Sequence, residues 1–253
     1  MDYKGRIFIC ADLHGDPRVI QQVIAKIENP TKDDVIIVAG DAGFEYGTYS
    51  MGSAKRAARK FPGHWIVMRG NHDNCYVKRH TYNGVLMNGW SFYGNQNEYI
   101  YQNKYPNILY VSDLGGIYFI KGLNFLFLPG AYSVDKNFRL RNNYPYNPEE
   151  QLSKDDMLKM IVLVDDWNKQ NFPIDYVIGH TFPKWLEPRY EDLFMSGLNQ
   201  SEIDKTTEMW LGEMSELFER NYAFKQYFGG HFHDSRWLTD KYRMVYHDPI
   251  EIG

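Results

Sequence analysis

Five short apolar runs, each ending in a cluster of Gly, Asp, His or Asn, constrain this chain more than any other feature. Ile7–Ala11 leads into Asp12-Leu13-His14, Val35–Ala39 into Gly40-Asp41, and Trp65–Met68 into Gly70-Asn71-His72-Asp73. Tyr176–Ile178 leads into Gly179-His180, and Tyr227-Phe228 into Gly229-Gly230-His231-Phe232-His233. Continuous apolar runs of this length, rich in Val, Ile and Phe, predict strands buried on both faces, as in a sheet covered by helices. Helical patterns lie between them, at roughly Pro17 to Glu28, Ser50 to Lys60, Pro148 to Gln170 and Ser201 to Arg220. The second begins at a serine and the last carries Ser201 ahead of Asp204, both cap signals. Such alternation predicts an α/β layered domain whose strand-end loops are free to carry chemistry. Further strands are expected at Gly116 to Ile120, Asn124 to Leu128, Trp237 to Thr239 and Tyr242 to Tyr246.

The chain has 253 residues, of which 43% are hydrophobic, enough for one substantial core, and no linker divides it, so a single domain over residues 1–253 is expected. Asn83 to Tyr110 and Gly130 to Pro148, rich in turn residues and tyrosine, read as insertions that could shape a pocket. The formal charge of -4 argues against a chain-wide electrostatic grip on nucleic acid. The apolar stretch Ile7 to Ala11 is too short for a signal peptide or a membrane span, and no later segment is long enough. Two cysteines, Cys10 and Cys75, make no disulfide framework. The expectation is therefore a cytoplasmic protein with no membrane partner; the sequence leaves the oligomeric state open.

Asp12 and His14 lie two apart at the end of a strand, so both side chains can reach a common point once the chain turns. His231 and His233 repeat the device. Together with Asp41, Asn71, His72, Asp73 and His180 they bring carboxylate and amide oxygens together with imidazole nitrogens. That donor set suits Mn, Fe, Zn or Co, and the absence of cysteine from it argues against a structural zinc.

In this order the blocks D-x-H, G-D, G-N-H-D, G-H and G-H-x-H resemble the calcineurin-like metallophosphoesterase superfamily, from Asp12 to His233. The resemblance implies an α/β layered β-sandwich flanked by helices and a site for two divalent metal ions, with Mn favoured. By motif, Asp12, His14 and His233 would hold the first ion, Asn71, His180 and His231 the second, and Asp41 would bridge them. It also implies hydrolysis of phosphate esters by a hydroxide shared between the ions, with His72 as the general acid that protonates the leaving group. Of the eight histidines, His64, His80 and His247 fall outside the motifs and read as structural or solvent-exposed.

Asp12-Leu13-His14-Gly15-Asp16 also resembles the opening block of the serine/threonine phosphoprotein phosphatases. Their next block, G-D-x-x-D-R-G, does not recur: Phe44 and Glu45 stand where that aspartate and arginine would be. A phosphoprotein substrate is therefore disfavoured. Asp73 or Glu45 could support His72 instead, and Arg69, Arg139 or Arg141 could bind the phosphate, with Arg139 and Arg141 preferred as substrate-binding residues. Tyr132 to Lys136 and Ser196 to Ser201 resemble uncharacterised bacterial and phage members, which lend a fold and a metal site but no substrate. The partner expected is a small phosphorylated molecule, phosphomonoester or phosphodiester, ahead of nucleic acid. A nuclease or a non-catalytic metal-binding scaffold are the competing readings.

Overall fold

In the strand Val35–Ala39 every position is apolar, because each face of the strand packs on a different layer. Ile36 and Val38 join Ile20 and Val23 of the helix Pro17–Ala25 and Ala54, Ala57 and Ala58 of the helix Gly52–Ala58. The alternate residues Val35, Ile37 and Ala39 join Phe125, Phe127, Ile178 and Phe228 from a second sheet. On the far side of that sheet, Leu126, Leu128, Val177 and Tyr227 pack on Met157, Met160 and Val164 of the helix Lys154–Lys169. Trp210, Leu211 and Met214 of the helix Thr206–Asn221 complete that layer. Period-two alternation thus builds helix, sheet, sheet, helix, the flanked β-sandwich expected from the sequence.

These elements come from a computed structural model that describes residues 4–46, 49–50, 52–94, 98–144, 146–186, 204–221 and 224–253. The seven-stranded sheet runs, edge to edge, Ile250–Ile252, Ile7–Cys10, Val35–Ala39, His64–Met68, Ile108–Tyr110, Tyr99–Gln102, Trp90–Tyr93. The five-stranded sheet runs Gly116–Ile120, Leu123–Leu128, Tyr176–Gly179, Gln226–Gly229, Tyr242–Met244. Parallel pairing decides where chemistry can gather. Cys10 pairs with Val38 and Ala39 with Met68 in one sheet, while Leu128, Gly179 and Gly229 align in the other. The loops after these residues therefore leave their sheets side by side.

Three expectations need correction. Asn83 to Tyr110 is a sheet extension rather than a loop insertion, because three of its segments add strands to one edge of the large sheet. Trp237 to Thr239 is no strand but one arm of a turn, bridged only at Trp237 and Arg243, with Thr239 Oγ1 accepting the Lys241 and Tyr242 amides at 3.2 Å each. The third helix starts at Lys154 rather than Pro148, where Ser153 Oγ accepts the Asp156 amide at 3.2 Å and so caps the first turn. The Ser201 cap and the Ser196 to Ser201 segment lie outside the described residues. Among the described residues, no helix is long and apolar enough to cross a membrane. Cys10 and Cys75 are both free thiols.

Candidate metal centre and active site

Asp12, His14, Asp41, His231 and His233 all have positive φ, between 45° and 73°. Non-glycine residues rarely take this left-handed region, and strain of this kind gathers where function fixes the backbone. The turn it makes is tight. Gly40, at φ 89°, packs against the His180 ring, and a Cβ at Gly70 would collide with Asp41 Oδ1 and with that same ring.

The candidate ligands form two groups. Asp12, His14 and His233 bring their ligand atoms together, with His14 Nε2 2.9 Å from His233 Nε2 and His233 Nε2 3.9 Å from Asp12 Oδ1. Two nitrogens each about 2.1 Å from one ion and near a right angle lie about 3.0 Å apart. Asn71 Oδ1 forms the second focus, 2.8 Å from His180 Nε2 and 3.1 Å from His231 Nδ1. Between the foci lies Asp41, whose Oδ1 accepts the His72 amide at 2.9 Å and whose Oδ2 is 3.5 Å from His180 Nε2. Asp12 also brings a ligand atom close to those of Asp41 and His180, so the two buried carboxylates lie side by side.

Whether this donor set suits cations can be tested on the hydrogen bonds alone. His180 Nδ1 is 2.9 Å from the Ala39 carbonyl, which only accepts, so that nitrogen carries the proton and Nε2 presents a lone pair. It faces Asn71 Oδ1, whose amide nitrogen is turned the other way, donating to Ser133 Oγ at 2.8 Å. Acceptor thus meets acceptor in a buried site, and only a proton or a cation relieves that. Charges say the same. Burial opposes a charged His180, but the Asp41 and Asp12 carboxylates outweigh it and raise the group to about 9. Burial would raise Asp41 too, yet the facing His180 and His72 hold it well below the usual carboxylate range. Asp12, pushed up by burial and by Asp41, is a second carboxylate that needs a cation. Burial drives His231 far down and lowers His14 and His233, so their nitrogens are neutral and ready to ligate.

A pH effect follows from these shifts. Without ions His180 holds a proton below about 9, and a ligating imidazole must give it up. Affinity for a divalent ion held by His180 should therefore rise by up to about tenfold per pH unit toward that value, with proton release visible in calorimetry across buffers of different ionisation enthalpy. An affinity flat between pH 6 and 8 would contradict the arrangement.

His72, Asp135, Arg139 and Val134 join His14, Asp41, Asn71, His231 and His233 in lining a cavity of about 300 Å³. The His72 side chain is 19% exposed, with Nε2 3.9 Å from Asp41 Oδ2. Burial lowers its affinity for a proton, Asp41 raises it, and Arg139 lowers it again. The Arg139 guanidinium is anchored by Asp135, Nε to Oδ2 at 2.7 Å.

Other expectations are not met. Asp73 does not orient His72; its buried carboxylate accepts the Ala42, Gly43 and Gly70 amides at 3.2, 3.0 and 3.0 Å, tying the two ligand loops together. It positions the site rather than touching substrate. Glu45 is taken by buried Lys55, with His80 Nε2 3.7 Å away, and Phe44 packs into the core beside Trp65. Arg141 is exposed and outside the cavity lining. Arg69 is buried and donates to the carbonyls of Asp113, Glu149 and Glu150. His247, read from the sequence as structural or solvent-exposed, braces the site, its Nε2 2.8 Å from the Asp12 carbonyl and Tyr246 stacked between its ring and that of His233. No motif flags that position.

Residues 5–235 match the family model described as calcineurin-like phosphoesterase. The chain belongs to the calcineurin-like phosphoesterase family. It is a metal-dependent phosphoesterase, a hydrolase of a family that uses divalent metal ions. No curated protein matches it in sequence. Among solved structures it is similar to phosphopantetheinyl hydrolase from Mycobacterium tuberculosis, at 16% identity and TM-score 0.46, over 97% of this chain and 91% of that one. It is also similar to TT1561 of Thermus thermophilus, at 13% identity and TM-score 0.49, over 95% of this chain and 88% of that one.

Proposed function

We propose that this calcineurin-like phosphoesterase hydrolyses a small phosphomonoester or phosphodiester, such as a nucleotide, in the cytoplasm, with two divalent ions of which manganese is favoured. The observation that carries the reading is one small cavity in which both ligand groups, His72 and the anchored Arg139 meet. Bound ions would supply positive charge to the phosphoryl oxygens and acidify water. The chain's own residues do the rest. Arg139, held rigid by Asp135, binds phosphoryl oxygens and sets the ester's orientation. His72 holds a proton at Nε2 and passes it to the departing oxygen. Burial, and after it the Arg139 charge, lowers His72; a phosphate bound to Arg139 would act in the opposite sense and favour the protonated imidazole.

Cavity size and charge favour a small ester over nucleic acid. Among the described residues, Arg139 is the one Lys or Arg in the cavity lining, whereas a nuclease needs a basic track for successive phosphates. A phosphoprotein phosphatase is disfavoured by Phe44 and Glu45, which are committed to packing and to Lys55. Retention of His72 beside a full ligand set argues against a non-catalytic scaffold.

Turnover of p-nitrophenyl phosphate, bis(p-nitrophenyl) phosphate and single-stranded DNA by manganese-loaded protein tests the proposal. One of the two small esters should be cleaved much faster than DNA; preference for DNA would overturn it. With the better ester, Arg139→Gln should lower kcat/KM by roughly 10- to 100-fold, the worth of one charge-assisted contact, while Arg141→Gln changes it less than about twofold. Equal effects of the two substitutions would remove Arg139 from the substrate site.

A further inference from the structure

We propose that Ser133 and Glu150 are positioning residues that fix which end of the Asn71 amide faces the second cation site. The inference rests on the reading of Asn71, His180 and His231 as ion ligands. An amide's oxygen and nitrogen are nearly equal in size, so packing cannot choose between the two orientations and hydrogen bonds must. Asn71 Nδ2 donates to Ser133 Oγ at 2.8 Å. A hydroxyl alone would not enforce this, since it can donate to an amide oxygen as readily as it accepts from an amide nitrogen.

Glu150 supplies the missing direction. Its Oε1 accepts the Ser133 backbone amide at 3.1 Å, which sets the Ser133 hydroxyl beside a buried carboxylate whose Oε2 has no other hydrogen-bond partner among the described residues. In this assignment the hydroxyl hydrogen turns to Glu150, which leaves Ser133 Oγ as an acceptor for the Asn71 nitrogen. The Asn71 oxygen is then aimed at His180 and His231. Ser133 is 2% exposed and Glu150 1%, so water does not reach the pair to substitute for either partner.

Glu150 is itself fixed by its backbone, whose carbonyl accepts the Ala131 amide at 3.3 Å and Arg69 Nη1 at 3.2 Å. Arg69 stands immediately before Gly70-Asn71, so the segment carrying Ser133 and the loop carrying Asn71 are braced against each other. A reversed amide would donate its hydrogens to the two histidine nitrogens. They would be satisfied without a cation, and the ion would lose an oxygen ligand.

Manganese titration of the full chain by calorimetry, with electron paramagnetic resonance reporting the exchange-coupled pair, tests the assignment. Wild type should bind two ions. Ser133→Ala should weaken one of the two sites by about 10- to 100-fold, the usual cost of losing a partner that orients a ligand, and diminish the coupled signal. The other site should keep its affinity. Ser133→Thr, which retains the hydroxyl, should restore binding, and the isosteric Glu150→Gln should weaken the same site as Ser133→Ala. Two ions with wild-type affinities in both Ser133→Ala and Glu150→Gln would overturn the proposal, as would equal weakening of both sites, the mark of a merely structural role. Fewer than two ions in wild type would instead overturn the reading of the site, and the inference with it.

Discussion

Asp41→Asn should reduce turnover of the preferred ester by at least about 10³-fold, because in the proposed two-ion site several kcal/mol of charge stabilisation at the transition state depend on holding both ions together. The substitution preserves shape, and the amide oxygen can still accept the His72 backbone N–H that Asp41 Oδ1 takes at 2.9 Å. What it removes is the negative charge between the two ligand groups. Asp41 is 1% exposed and faces His180 and His72. Two dications about 3.5–4 Å apart repel strongly without shared negative charge between them. Manganese stoichiometry should fall from two toward one while the circular dichroism spectrum stays that of wild type. Activity within tenfold of wild type, with both ions retained, would contradict the bridging role.

His72→Asn should slow cleavage of an alkyl phosphate ester by about 10²- to 10⁴-fold, the range for a positioned general acid. The loss should be much smaller for a p-nitrophenyl ester, whose leaving group departs without a proton. His72 lies in the cavity wall near Arg139 and takes no place in either ligand group, so both ions should remain bound. Equal losses on the two esters would mean that His72 acts on binding or on the site's shape rather than on proton transfer.

The parts of the molecule that were legible in the sequence are those where neighbouring residues act together. Five apolar runs, each followed by a ligand-bearing turn, disclosed both sheets, because burial on two faces leaves continuous hydrophobic strings. The edge of the large sheet was not legible. In Trp90-Ser91-Phe92-Tyr93 and Tyr99-Ile100-Tyr101-Gln102, short aromatic segments alternate with turn residues, and neither strand has the aliphatic run that marks a buried one. The candidate metal ligands were readable because their spacing follows the strand ends. Supporting residues follow no such spacing. Asp73 stands next to a proposed catalytic histidine yet serves amides 30 and 31 residues away, and Ser133 meets Asn71 across 62. Arg139 and Arg141 are two apart in one short helix, yet only the first reaches the cavity, a difference of helix face that loop-like composition concealed.

Anomalous scattering from crystals grown with saturating manganese is the most direct test of the central claim. Two peaks per chain are expected, one among Asp12, His14 and His233, the other among Asn71, His180 and His231, with Asp41 between them. A single peak, or none in that cavity, would contradict it.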